Sequence, residues 1–177
     1  MVKWFFIFLL GGILTIGLSL YYKLGAYKDV KIAKGSVPMM NLLYQDHFGS
    51  YHKIGGAIQR VENWALENNF SCERSFGIYL DDPSKIDEDR LRSQGGCITD
   101  AIVPSNDLPL DFKQRQLNKG EFIVAQFTGS PAIGPFVVYP KVEKWAIDNR
   151  MKIKPPTIEI YKLNKSTIET TYLFNFE

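Results

Sequence analysis

One uninterrupted apolar run stands near the start of the chain. Residues 4–22 carry no charged side chain. At about 1.5 Å per helical residue they would extend about 28 Å, close to the hydrocarbon thickness of a bilayer. Trp4 at one end and Tyr21 and Tyr22 at the other are typical of the two membrane interfaces. The pattern predicts a transmembrane helix within an anchor of residues 1–23.

A cleaved signal peptide is the alternative to this anchor. Signal peptides have an apolar core of about 7–15 residues followed by small residues at the cleavage site. Here the apolar run is longer, and Tyr21, Tyr22 and Lys23 follow it directly. The sequence therefore favours an uncleaved anchor.

The positive charges on the two sides of the run predict its orientation. Lys3 and the α-amino group precede it. Four lysines follow the run, at Lys23, Lys28, Lys31 and Lys34, and Asp29 is the one acidic residue in this segment. Since positive residues favour the cytoplasmic side of a membrane, we expect a single-pass protein with its soluble domain in the cytoplasm.

The remaining residues, 24–177, contain a repeated pattern. Residues 61–70 (VENWALENNF) and 142–151 (VEKWAIDNRM) lie 81 positions apart and are identical at five of ten positions. Gly49-Ser50 recurs as Gly129-Ser130, and residues 77–79 align with residues 159–161. Matched segments in the same order predict a tandem duplication, with repeat one over residues 28–103 and repeat two over residues 110–176.

The pattern predicts that each repeat consists of two strands, a helix and two further strands. Ile54, Ile58, Val61 and Ala65 recur at helical spacing, whereas the flanking segments alternate between apolar and polar residues. The predicted strands lie near residues 30–34, 38–47, 73–81 and 91–100 in repeat one, around a helix over 52–68. In repeat two they lie near residues 112–116, 120–128, 157–164 and 167–175.

Pro140 complicates the second helix, which ends at Asn149. Proline inside a helix lacks a backbone donor and clashes with the preceding turn. We therefore expect this helix to begin close to Pro140 and residues 133–139 to form a turn or a separate short helix. Phe136 and Tyr139 would then form a wall or lid there.

Two β-β-α-β-β units predict an α+β fold. Its antiparallel sheet would carry the helices on one side, and the two units would be related by a pseudo-twofold axis. Ligand sites favour the crevices between such units. We therefore expect a binding cleft between the repeats.

Composition excludes several functions. The formal net charge of +2 over 177 residues gives no strongly basic surface, which argues against nucleic acid as a partner. Two cysteines and two histidines cannot form the usual four-ligand zinc site without carboxylates, so we expect no metal and no cofactor. No nucleophile motif or phosphate-binding loop is present, and no catalytic residue is assigned.

Cys72 and Cys97 leave two alternatives open. They are either reduced thiols in the core or a disulfide between neighbouring strands. Neither the spacing nor the surrounding residues decide between the two.

Glu159 is the strongest candidate for a binding residue because it interrupts an apolar strand. In residues 157–161 (TIEIY), Glu159 and Tyr161 share one face, and Ile158 and Ile160 share the other. If the isoleucines pack beneath the helices, Glu159 and Tyr161 point into the crevice. A carboxylate with aromatic neighbours suits a cationic, aromatic ligand.

The matching strand of repeat one carries Gly77 and Tyr79. A glycine within a strand marks either a close approach of another group or a bulge, so both readings of Gly77 stay open. Aromatic residues on the central strands and the second helix complete the candidate site. The predicted ligand-binding residues are Glu159, Tyr161, Tyr79, Tyr44, Trp145 and Phe136.

Two segments carry a family resemblance. Residues 76–92 (FGIYLDDPSKIDEDRLR) combine an aromatic-rich strand, an Asp-Asp-Pro turn and an acidic stretch with arginine. Residues 157–164 (TIEIYKLN) place Glu-Ile-Tyr in a strand. Together they resemble the gyrase-inhibitor-like small-molecule-binding superfamily, which includes effector-binding domains of multidrug-responsive transcription activators. The resemblance covers about residues 28–176 and implies that Glu159 takes the place of the family's acidic ligand-binding residue.

A narrower resemblance involves the apolar N-terminal run, Tyr139-Pro140 and residues 142–161. These are similar to the testis-expressed ER-phagy receptor family, whose members carry a single-pass anchor and a cytosolic gyrase-inhibitor-like domain. The sequence ends at Glu177 without the long tail that bears the autophagy-adaptor motif. We therefore do not expect the receptor function.

Three functions follow as hypotheses. The first is a membrane-anchored domain that binds a small cationic or amphipathic molecule, with Glu159 as the carboxylate that holds it. The second is a hydrolase of reactive small molecules with Glu159 as general base. The third is a membrane adaptor that binds a protein partner.

Overall fold

The computed structural model describes residues 2–72, 74–164 and 167–177. A long helix, α1 (Val2–Leu24), opens the chain. Its segment Phe6–Leu24 is apolar and long enough to cross a membrane, and none of it is buried against the rest of the protein. Helices of this length and composition near an N-terminus also occur in signal sequences.

The other described residues form one antiparallel sheet and two α-helices, as the sequence predicts for an α+β fold. The helices are α2 (Gly55–Glu67) and α3 (Gly134–Asp148). The strands are β1 (Lys31–Val37), β2 (Met40–Phe48), β3 (Arg74–Tyr79), β4 (Arg92–Thr99), β5 (Phe112–Leu117), β6 (Gly120–Thr128), β7 (Ile153–Asn164) and β8 (Thr167–Phe176). Glu73, the first residue of the third predicted strand, lies outside the described residues.

The sheet has the strand order β1-β6-β8-β7-β3-β4-β2-β5. Each half of the chain contributes its first strand to the other half, because β1 pairs with β6 and β5 pairs with β2. At the centre, β3 pairs with β7 and sets Gly77 opposite Glu159. The order reads the same from both edges when the halves are exchanged, which is consistent with the predicted repeats.

The start of α3 corrects one prediction. The helix is continuous from Gly134 to Asp148 and contains Pro140, so residues 134–139 are helical. Pro140 cannot donate to the carbonyl of Phe136, one turn earlier. Both residues are exposed, and water can bind that carbonyl instead. The proline is therefore tolerated on the solvent face.

The two faces of the sheet bury different clusters. On one face, α2 packs against Leu43 and Cys97, and α3 packs against Ile123, Ala125 and Phe127. The opposite face buries a cluster made of strand residues and Leu80. Among the described elements, α2 and α3 pack on the other face, so this second cluster is buried by strand residues and Leu80 packing against one another.

Ile158 and Ile160 belong to this second cluster. The condition considered in the sequence analysis, that the isoleucines pack beneath the helices, is therefore not met. Strand alternation places Glu159 and Tyr161 on the face that carries α2 and α3. The crevice that holds them lies on the helix side of the sheet.

Cys72 and Cys97 form a disulfide, with their Cα atoms 5.6 Å apart. Cys72 lies just before β3, and Cys97 lies in the neighbouring strand β4. Of the two alternatives that the sequence leaves open, the structure contains the disulfide.

Candidate functional site

The centre of the sheet carries a buried carboxylate. Glu159 lies in β7 between Gly77 of β3 and Tyr172 of β8, and its side chain faces the two helices. It is 3% exposed. A carboxylate this far from water needs hydrogen-bond donors, because an unpaired buried charge is strongly destabilising.

Two tyrosines supply these donors. The Tyr139 hydroxyl of α3 donates to Oε1 of Glu159 at 3.0 Å, and the Tyr161 hydroxyl donates to Oε2 at 3.0 Å. The Tyr79 hydroxyl lies 3.0 Å from that of Tyr161. Since the Tyr161 hydroxyl uses its hydrogen atom in the hydrogen bond to Glu159, the Tyr79 hydroxyl is the donor in its hydrogen bond with Tyr161. The four side chains form one hydrogen-bonded chain across β3, β7 and α3.

Burial raises the pKa of Glu159 to about 7, while the hydrogen bonds from Tyr161 and Tyr139 act in the opposite direction. Loss of water disfavours the charged form more than the two donors favour it. Burial and the nearby carboxylate raise the pKa of Tyr139 and of Tyr161 well above the usual range. The tyrosines therefore stay protonated as donors, and Glu159 changes charge near neutral pH.

Gly77 leaves the space that the Tyr79 ring occupies. A Cβ at Gly77 would lie 3.1 Å from the Tyr79 hydroxyl oxygen and 3.2 Å from Cδ1 of Ile54. The pairing of β3 with both neighbours is uninterrupted from Ser75 to Tyr79. Of the two readings of Gly77, the structure thus supports close approach and excludes a bulge.

A cleft of about 1000 Å³ opens above this chain of side chains. Its volume suits a small molecule. Aromatic pairs form its walls: the rings of Tyr51 and Tyr79 meet edge to face at 4.8 Å, and those of Tyr139 and Phe174 at 5.1 Å. Phe136 stands on the rim and is 72% exposed.

The cleft is acidic. Among the described residues that line it, five carry carboxylates and one is a lysine: Asp81, Asp82, Glu88, Glu143 and Glu159 against Lys154. Arg92 pairs with Asp81 and Lys85 pairs with Asp82, so Glu88, Glu143 and Glu159 are the described lining carboxylates whose charge is left to set against Lys154. The lining therefore favours a cation over an anion.

Four of the six predicted ligand-binding residues line the cleft: Glu159, Tyr161, Tyr79 and Phe136. Tyr44 lies on the opposite face of the sheet, where the Arg115 guanidinium lies 5.6 Å from its ring centre. Trp145 lies near the end of α3 and packs against the α3 cluster. The structure does not bring these two residues to the other four.

Tyr139 is the residue of this site that the sequence pattern describes least well. The predicted irregular segment before Pro140 makes it a wall or lid, whereas in α3 it donates directly to Glu159. Gly134, Val138 and Val142 are buried on one side of α3. These three residues recur at helical spacing on both sides of Pro140. This spacing in the sequence indicates that the helix begins before Pro140.

The raised pKa of Glu159 predicts how stability depends on pH. Between its ordinary pKa of 4.5 and about 7, the unfolded state loses a proton that the folded state keeps. Stability should therefore fall as pH rises through this range, by on the order of 3 kcal/mol at most. Glu159→Gln should remove this slope, as measured by urea unfolding of the full chain in neutral detergent.

Glu67→Gln provides the matched control, since Glu67 is exposed at the end of α2 and does not line the cleft. This variant should keep the slope of the unchanged protein. An equal slope in all three proteins would mean that Glu159 titrates as an ordinary carboxyl group.

Comparison with known proteins identifies the family. The family model of the GyrI-like small molecule binding domain matches residues 34–174. A DNA gyrase inhibitor of Pectobacterium carotovorum subsp. carotovorum (strain PC1) is 39% identical over 61 residues, which is 34% of this chain and 38% of that protein. These comparisons give no support to the narrower resemblance to ER-phagy receptors.

Two solved structures show the same fold. The EcmrR–DNA complex matches with a TM-score of 0.66 and 12% identity, over 99% of this chain and 68% of that one. SAV2435 bound to tetraphenylphosphonium matches with a TM-score of 0.53 and 12% identity, over 82% of this chain and 94% of that one. At these identities the similarity shows the fold alone. Because the family model covers most of the chain, the chain belongs to the GyrI-like small-molecule-binding family.

Proposed function

We propose that this protein binds small organic cations with aromatic or apolar groups in the acidic cleft, with Glu159 as their counter-charge. The buried carboxylate of Glu159 carries the proposal, since both of its oxygens accept tyrosine hydrogen bonds at the floor of an aromatic cleft. The ligand in the SAV2435 complex, tetraphenylphosphonium, is a cation of this class and supports the proposal.

The chemistry of the floor suits such a ligand. A cation such as tetraphenylphosphonium has no hydrogen-bond donors. It therefore needs charge compensation and aromatic contact more than directed polar partners. Glu159 supplies the charge, and the rings of Tyr79, Tyr139 and Tyr161 supply the contact. A bound cation would stabilise the ionised carboxylate and lower its pKa.

The pairing of β3 with β7 leaves room for only one carboxylate where Gly77 faces Glu159. We infer that the two halves derive from duplication of one unit, since Gly77 and Glu159 are equivalent in sequence and opposite each other in the sheet. Side chains at opposite positions of neighbouring strands lie about 5 Å apart. Two buried carboxylates there would repel each other, so glycine in one repeat leaves glutamate in the other as a single binding charge.

A hydrolytic role for Glu159 is the second candidate. A carboxyl group with a pKa of about 7 suits a general base at neutral pH. Against this role, both oxygens already accept hydrogen bonds from Tyr139 and Tyr161. Each oxygen keeps a second lone pair for water, but Glu159 is only 3% exposed, so turnover requires water to enter the floor of the cleft, whereas charge compensation of a bound cation does not.

We further propose that α1 spans a membrane and keeps the cleft close to it. The backbone N–H of Ser130 donates to the carbonyl of Leu24, the last residue of α1, at 2.9 Å. Pro131 and Ala132 follow directly and line the cleft. The end of the anchor is thus joined to the α3 side of the cleft.

We propose the orientation of the domain from the disulfide. The excess of lysines after α1 is small, and a disulfide such as Cys72–Cys97 is more common in oxidising compartments than in the cytoplasm. We therefore place the domain on the side of the membrane away from the cytoplasm.

Tetraphenylphosphonium is the first probe for the cleft. The full chain in neutral detergent should bind it, and Glu159→Gln should weaken binding by about 30-fold or more, because the variant loses the charge partner of a desolvated cation. Affinity should also fall as pH drops below about 7, where Glu159 becomes protonated. Isothermal titration calorimetry measures both effects.

Two controls accompany this titration. Glu67→Gln should bind as the unchanged protein does, and triphenylphosphine oxide, a neutral compound with similar rings, should bind weakly and without dependence on Glu159. Equal binding of the cation to both variants would exclude Glu159 as the counter-charge.

The anchor and its orientation are tested in cells. The full chain should stay in the membrane fraction after alkaline carbonate extraction, as expected for a spanning helix. Cys72 and Cys97 should react with a maleimide reagent only after reduction of the denatured protein. Release from the membrane would contradict the anchor. Labelling without reduction would show free thiols and contradict the orientation proposed from the disulfide.

A further inference from the structure

The opposite face of the sheet contains a second cavity that the cation cleft does not use. It is a groove of about 710 Å³ that follows edge strand β1, including Lys31, Ala33 and Val37. Ile160 and Leu173, which belong to the strand cluster on the side away from the helices, form part of its lining. The groove and the cation cleft therefore lie on opposite faces of the same sheet.

The floor of the groove is apolar. Met40, Ile160 and Leu173 are buried there, and Val124 is half-buried beside them. This floor can contact an alkyl chain along its length, and the volume suits a single-chain amphiphile.

The rim of the groove is basic. Lys31, Arg74 and Lys162 line it and are exposed, with Glu169 as the one carboxylate among the described lining residues. The pairing of Ser75 with Tyr161 sets Arg74 beside Lys162 on the same face. Within the described ranges, none of the three cations forms an ion pair. Glu169 lies directly opposite Lys162 in the β7–β8 pair and offsets part of its charge, so the described rim carries three cations against one carboxylate and favours an anion.

We propose that this groove binds an anionic amphiphile. Its alkyl chain lies over Met40, Ile160 and Leu173, and its carboxylate or phosphate group binds Arg74 and Lys162. The charge preference is opposite to that of the cation cleft, so the two faces of the sheet take ligands of opposite charge.

The position of α1 indicates a source for this ligand. β1 begins at Lys31, shortly after α1 ends at Leu24, and Leu24 itself contacts the loop that follows β6. The Lys31 end of the groove is therefore near the end of the anchor. An anionic phospholipid of the same membrane and a free fatty acid share the required chemistry.

A photoactivatable stearate with a diazirine in its chain is the probe. The full chain in phosphatidylcholine nanodiscs should crosslink to it within β1 and residues 153–164, and mass spectrometry maps the sites. Labelling of α1 measures how much probe is in the bilayer and normalises the yield. In the double variant Arg74→Gln, Lys162→Gln, groove labelling should fall about tenfold or more, because two charge-assisted contacts are lost.

Lys119→Gln is the matched control, since Lys119 is exposed and does not line the groove. Ala33→Trp fills the groove without changing its charge, and it should also abolish labelling there. A trimethylammonium probe of the same length should label the groove weakly, and Glu159→Gln should leave stearate labelling unchanged. The last result separates this site from the proposed cation cleft.

Competition then distinguishes the two sources. Loss of labelling when phosphatidylglycerol is added to the nanodiscs identifies membrane lipid, and loss only with unlabelled stearate identifies a free fatty acid. Labelling confined to α1, labelling of the groove that is equal in the double variant, or competition by neither compound would overturn the proposal.

Discussion

A carboxylate in the middle of a sheet must be compensated, and the core on the helix side is arranged around that requirement. Glu159 has almost no contact with water, so its charge depends on donors from neighbouring elements. Tyr161 comes from the same strand and Tyr139 from α3, which ties the helix to the sheet through one side chain. Gly77 leaves the room in which Tyr79 extends this chain of hydroxyl groups.

The exchange of edge strands explains why one site serves both halves. β1 and β5 each cross to the other half, so the halves share one continuous sheet and its centre is the β3–β7 pair. Residues from both repeats therefore meet around Glu159. The same sheet separates an acidic cleft on the helix side from a basic groove on the other side, so the two surfaces differ in charge while they share a core.

Local patterns in the sequence predicted much of this arrangement. The repeat aligned Gly77 with Glu159, and alternation placed Glu159 and Tyr161 on one face, as the structure has them. Pro140 misled the prediction of α3, because its cost depends on whether the lost hydrogen bond faces solvent, and the sequence does not show this. The strand pattern left open which face the helices cover, and Ile158 and Ile160 lie in the cluster of strand residues on the face away from them.

Long-range features were beyond the sequence. Tyr44 resembles Tyr79 in its setting within an apolar strand, yet the two rings lie on opposite faces of the sheet. The pairing of Cys72 with Cys97 depends on the register of β3 and β4. The exchange of β1 and β5 between the halves depends on which edges are free once the central strands have paired.

The most direct measurement is a titration of Glu159 by carbon-13 NMR of its side-chain carboxyl group, in the full chain, with and without tetraphenylphosphonium. We expect a pKa of about 7 for Glu159 in the free protein and a lower pKa when the cation is bound, because a bound cation favours the ionised form. An ordinary pKa near 4.5 in the free protein, or a pKa that the cation leaves unchanged, would contradict this expectation.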